Sequence, residues 1–173
     1  MLQLSGTLLN RPILSLRAGV PIGTALTPII NPNNLKIEGF NCQDRFDKKK
    51  HSVLLYQDIR DVMPQGLVVN DQDALSDPEE LVRLEDIMKL NFALIGKPVI
   101  TLSKTKVGKV NDFAVEVETM YIQKLYVGQS VIKNFAGGSL SIDRSQIVEI
   151  TNRRVVINDL VEQTPVRAAA IAS

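Results

Sequence analysis

The phrase GLVVND, Gly66–Asp71, returns 88 residues later as RVVIND, Arg154–Asp159. A stretch repeated at a near-constant spacing constrains a fold strongly, because each copy must build the same local structure. The match extends well beyond these six residues. LNRPILSLRAGVPIG, from Leu9, lines up with IGKPVITLSKTKVG, from Ile95, pairing Arg11 with Lys97, Pro12 with Pro98, Leu16 with Leu102 and Gly23 with Gly108. Further on, LKIEGFNC from Leu35 falls on MYIQKLYV from Met120, Ile59 meets Ile147 and Val62 meets Ile150. The repeat spans about residues 9–71 and 95–159, with offsets of 85 to 88 that loop insertions account for.

Each copy reads as β-structure. β-Branched and aliphatic runs alternate with turn residues at strand-and-turn spacing. The first copy gives strands at Ile13–Arg17, Gly23–Ile30, Leu35–Cys42, Ser52–Tyr56 and Leu67–Asn70. The second gives Pro98–Leu102, Gly108–Glu116, Met120–Val127, Ser139–Ile142 and Val155–Asn158. NPNN at Asn31–Asn34 is hairpin-turn chemistry, because proline presets φ and asparagine tolerates the left-handed region. Gly137-Gly138 punctuates the chain before Ser139. In LKIEGFNC the apolar set is Leu35, Ile37, Phe40 and Cys42, so the period of two slips after Ile37. In MYIQKLYV the set is Met120, Ile122, Leu125 and Val127, and the slip falls at the same place. A strand that keeps one face inward across such a slip needs an extra residue, which predicts a β-bulge near Gly39 and near Lys124.

Between the copies lies LSDPEELVRLEDIMKL. Ser76 with Glu79 has the form of a capping box, Pro78 suits a first turn, and Leu81, Leu84, Ile87 and Met88 recur at helical spacing. The pattern predicts an amphipathic helix over about 77–90, packed on its apolar stripe. The expected architecture is mainly β, with the core of each copy drawn from the aligned apolar residues. It comprises two tandem small β-barrels, 1–75 and 92–162, a connecting helix at 76–91 and a C-terminal tail at 163–173.

The repeated features are GKPV (Gly96–Val99), a glycine after a polar loop (Gly108), KVNDFAVE (Lys109–Glu116) and a closing VVIND. Together they resemble the PRC-barrel family. The second copy is the better match; the first keeps RPIL, Gly23 and LVVND but lacks the acidic pair after its glycine. The resemblance implies small β-barrels of a kind found in three settings. These are the photosynthetic reaction-centre H subunit, a ribosome-maturation factor that grips a ribosomal protein, and stand-alone proteins. What those settings share is docking to another macromolecule. The implied function is therefore a non-enzymatic adaptor with a protein partner, and an adaptor of this kind can also form a homo-oligomer.

Residue chemistry agrees with that expectation. The 173 residues carry 20 basic and 19 acidic side chains, so no global field draws in nucleic acid or anionic lipid. His51 is the only histidine, which leaves general acid–base chemistry little to work with, and it follows a charged run expected to be an exposed loop. Cys42, the only cysteine, forms no intrachain disulfide and reads as a small core hydrophobe rather than a reactive thiol. IGKP at Ile95–Pro98 lacks the upstream glycine and following hydroxyl of a phosphate loop. An EF-hand loop begun at Asp71 would need glycine and glutamate where the chain has Ser76 and Val82. Glu116 and Glu118 share a strand face and read as solvated. No catalytic, cofactor or metal site is expected. The candidate interaction loops are Lys48, Lys49 and Lys50, with Phe46 nearby, and the turn bearing Arg153 and Arg154. These supply the alternative reading, an RNA- or ribosome-assembly-associated factor. The first 15 residues have no basic side chain before Arg11 and no long apolar core, so no signal peptide is expected. The charge-free run Ala18–Leu35 contains three prolines and three asparagines and reads as strand and turn rather than as a membrane span. The expected location is cytoplasmic.

Overall fold

The computed structural model describes residues 1–129 and 139–160. The glycine pair Gly137-Gly138 and the C-terminal tail lie outside the described residues. The fold is mainly β, with fourteen strands and one short α-helix among the described residues. The first half contains β1 (Leu2–Leu4), β2 (Arg11–Ser15), β3 (Pro21–Asn31), β4 (Lys36–Asp44), β5 (His51–Leu55), β6 (Ile59–Met63), β7 (Gly66–Val69) and β8 (Leu75–Ser76). After α1 (Glu85–Leu90) come β9 (Pro98–Thr101), β10 (Lys106–Glu116), β11 (Tyr121–Gln129), β12 (Ser139–Asp143), β13 (Ile147–Ile150) and β14 (Val155–Ile157).

One strand order is used twice. β2 pairs antiparallel with β3, β3 with β4, β4 with β5 and β6 with β7, while β7 lies parallel to β2. The same relations hold for β9, β10, β11 and β12 and for β13 and β14, with β14 parallel to β9. The irregularities repeat as well. The bulged residue of the β3–β4 hairpin is Glu38, between Ile37 and Gly39; in β10–β11 it is Gln123, 85 residues on. Ile37, Phe40, Ile122 and Leu125 are all buried, as the slipped pattern requires. Three further bulges also correspond: Ile22 with Val107, Leu26 with Asn111, and Arg60 with Val148.

The aligned residues hold equivalent contacts. Arg11 donates to the carbonyl of Pro64 at 3.0 Å and Lys97 to that of Asn152 at 2.8 Å, so each ties down the turn of its own closing hairpin. The closing aspartates both reach the turn after the first strand of their copy. Asp159 accepts from the Ser103 amide at 3.0 Å and the Ser103 hydroxyl at 2.7 Å, pinning the β9–β10 turn, while Asp71 faces Arg17 across 4.0 Å in the matching turn. Gly23 and Gly108 stand where a paired strand approaches closely. A Cβ would lie 2.7 Å from the Gln43 carbonyl in the first case and 1.9 Å from that of Gly128 in the second.

The halves meet at a local two-fold. Leu35 and Met120, 85 apart, both adopt positive φ at the ends of their hairpin turns. The Ile37 amide donates to the Met120 carbonyl at 2.8 Å and the Ile122 amide to the Leu35 carbonyl at 2.9 Å, an exchange in which each bond is the image of the other. Lys36 pairs with Tyr121 at this joint, its ammonium 4.0 Å from the Tyr56 ring centre and 5.2 Å from that of Tyr121. Arg144 closes the other side, donating to the carbonyls of Ile122 and Asn34. Through β4 and β11 the strands of both halves form one continuous sheet, which does not close on itself. A single apolar core runs through both halves, from Leu8, Ile13 and Phe40 to Phe113, Leu125 and Ile157.

Three sequence expectations need correction. The segment over 77–90 is not one helix. It breaks into single 3₁₀ turns at Pro78–Glu80 and Val82–Leu84 before α1, because Leu81 leaves helical geometry at φ −94°, ψ 61°. Ser76 caps nothing, since it pairs with Val53 in β8; Asp77 accepts from the Glu79 amide instead. Leu16 and Leu102, aligned apolar positions expected in the core, are 64% and 55% exposed. Ser15 and Thr101 take the inward place before them, and strand alternation turns the leucines outward.

Segments that precede each repeat cross to the other half. β1 lies in the expected first unit but pairs with β10, setting Leu2 against Glu116 and Leu4 against Ala114. The Met1 ammonium just before β1 also meets the Glu116 carboxylate. Parts of the segment that precedes the second repeat lie against β3 of the first, where Pro78, Ile87 and Leu94 line a recess with Thr27–Ile30.

Candidate functional site: an apolar groove beside the third strand

A recess of about 640 Å³ runs along the C-terminal half of β3. One wall is Thr27, Pro28, Ile29 and Ile30; the other is Ile87 and Met88 of α1 with residues 91–95. Phe113 from the second half and Leu9 from the segment before β2 line it too. Its volume falls in the range of ligand and peptide sites, which are mostly apolar with a few placed polar groups. Here those groups form a short chain at one end. The Asn41 amide donates to the Thr27 hydroxyl at 3.0 Å, and its oxygen meets His51 Nε2 at 2.9 Å. His51 opens β5 and is exposed, as expected for a residue after the lysine run, but that run alone does not reveal that the imidazole stands at the mouth of a groove.

Local sequence explains why this strand edge is free. In β10 the Glu116 carbonyl turns toward β11, accepting from Met120, and the next amide, Val117, turns outward to the carbonyl of Met1. In β3 the Asn31 carbonyl likewise turns toward β4, accepting from Leu35, but the next residue is Pro32, which has no amide. Pro28 lacks one as well. Proline on an outward position protects an edge from pairing, so β10 carries β1 whereas β3 carries only the loose cover of α1.

The predicted basic residues are placed separately. Lys48, Lys49 and Lys50 are exposed on the β4–β5 loop, shaped from within by Asp44, a buried carboxylate accepting from the Phe46 amide at 2.7 Å and the Asp47 amide at 3.1 Å. Phe46 at the same loop is 68% exposed. Arg153 and Arg154 are exposed on the β13–β14 turn, where Thr151 Oγ1 accepts both their amides at 3.2 Å. The turn joins β13 and β14, at one end of the strand order, whereas the lysine loop joins β4 and β5 in the first half.

Cys42 is buried and its thiol is pushed up to about 12, chiefly by burial, which makes it a core side chain at neutral pH. The Ser103 hydroxyl, and after it the Ser103 amide, holds the Asp159 carboxyl below its usual range. Among the described residues no three His, Cys, Asp or Glu side chains gather as a metal-binding group, and no helix is long and apolar enough to cross a membrane. Set against known protein families and curated proteins, the chain matches no family and no curated protein.

Proposed function

We propose that the chain is a non-enzymatic adaptor in which a PRC-barrel-like unit occurs twice, and that it docks to a protein partner in the cytoplasm without a metal or organic cofactor. Support for the duplication comes from the shared strand order and from bulges that recur at offsets of 85 and 88 residues. The docking role rests on one observation above all, the apolar groove beside β3. A recess of that size, walled by aliphatic and aromatic side chains, suits the burial of another chain's apolar groups.

Affinity capture from native lysate, run with and without nuclease, tests this reading. The expected result is one stoichiometric protein partner retained in both conditions. An RNA-associated role has its own support, since Phe46 stands exposed beside Lys48–Lys50 and none of these lysines forms an ion pair among the described residues. Loss of all partners on nuclease treatment, with direct RNA binding that weakens steeply with salt, would transfer the function to that alternative.

A further inference from the structure

The two-fold correspondence between the halves says what the groove is shaped to hold. Its β3 wall, Thr27–Ile30, is the counterpart of Asp112–Val115 at the common offset of 85. In the second half that stretch is already occupied. β1 runs antiparallel to it, with Leu4 opposite Ala114 and Gln3 opposite Val115, and the following Ser5 donates its hydroxyl to Asp112. The occupant there is an extended run of apolar, polar, apolar and then hydroxyl residues. The first half offers the same seat with a hydroxyl and an amide, Thr27 and Asn41, at the place of Asp112.

Building on the adaptor reading, we propose that the groove takes a short extended segment of a partner protein. Its pattern is apolar-x-apolar followed by a small hydroxyl residue, laid antiparallel to β3 beneath α1. The prolines define how it is held. Ile30 is only 2% exposed and Pro28 and Pro32 donate nothing, so a full strand ladder cannot form. Apolar side chains between Ile29 and Met88 supply the grip. Recognition by an extended peptide set between a strand edge and a helix is an established mode.

The probe is a synthetic peptide of residues 1–7, Met-Leu-Gln-Leu-Ser-Gly-Thr, titrated into the isotope-labelled full chain and followed by amide chemical shifts. Shifts concentrated at Thr27, Ile29, Ile87, Met88 and Ile95 are expected. A peptide carrying Leu2→Asp and Leu4→Asp should bind at least tenfold more weakly. Met88→Lys, on a half-exposed helix position, should abolish the shifts while leaving the remaining spectrum in place. Equal response to both peptides, or none, overturns the proposal. So do shifts confined to 114–116, which would mean that the peptide merely displaces β1. An apolar dye that fills the groove while the peptide binds nowhere would mark a small-molecule cavity, and protection of β3 by self-association would assign the seat to a second copy. If captured partner is retained equally by the wild type and Met88→Lys, the adaptor reading survives and this inference alone fails.

Discussion

Raising the pH probes the core of the first half through a single atom. Cys42 Sγ lies buried, donating to the Phe40 carbonyl at 3.2 Å, and its pKa rises from an ordinary 9.0 to about 12. In the unfolded chain the thiol loses its proton near 9, whereas in the folded chain it keeps that proton until about 12. The folded state therefore holds more protons across this window, and stability must fall as the pH rises through it. The contribution is fully present below 9 and lost above 12. Linkage gives a loss on the order of 1 kcal/mol at pH 10, rising to roughly 3–4 kcal/mol as the full shift is expressed. Urea denaturation of the wild type and Cys42→Ala between pH 8 and 11 isolates this term, because the lysines and tyrosines titrate in both proteins. Whatever the substitution costs by leaving a small void is a constant offset; the difference in slope carries the result. The wild type should lose stability faster with pH, and its one thiol should resist a thiol reagent until the protein unfolds. Parallel pH profiles for the two proteins would refute the argument and place Cys42 in contact with water.

Other perturbations follow from the same geometry. Gly108→Ala forces a Cβ to 1.9 Å from the Gly128 carbonyl and should cost at least about 2 kcal/mol in chemical denaturation. Gly6→Ala, with nothing within 4 Å, should stay within about 0.5 kcal/mol of wild type. Lys36→Met removes the cation between Tyr56 and Tyr121 and should cost about 0.5–1 kcal/mol. Because the Lys36 ammonium beside it holds the Tyr56 phenol below its ordinary pKa, one tyrosine should titrate at higher pH in that variant, as read by ultraviolet absorbance.

The repeat made much of the fold legible, since equal spacing of apolar residues dictates equal strands, and the slip in LKIEGFNC and MYIQKLYV located the bulges to within one residue. The linker was less legible. Its leucines have helical spacing, but Ser76 is claimed by a strand and Asp77 starts a shorter turn, a competition between pairing and capping that periodicity cannot weigh. Leu16 and Leu102 misled because an apolar residue at the end of a strand need not face inward. The groove was not visible at all. It depends on helix, strand and Phe113 converging from distant stretches of chain, and its one local trace is the pair of prolines flanking Ile30.

The pairing of β1 with β10 also orders events during synthesis. Glu116 follows Leu2 by 114 residues (116 − 2), and the first strand has no partner until that residue has been made. At about 5–20 residues per second, its apolar side chains wait roughly 6 to 23 seconds on the ribosome. Over that interval the β2–β7 portion can already assemble from its own strands, while the leading strand stays free for chaperones. Capture of β1 thus follows assembly of the first half's own hairpins and waits on β10 of the second.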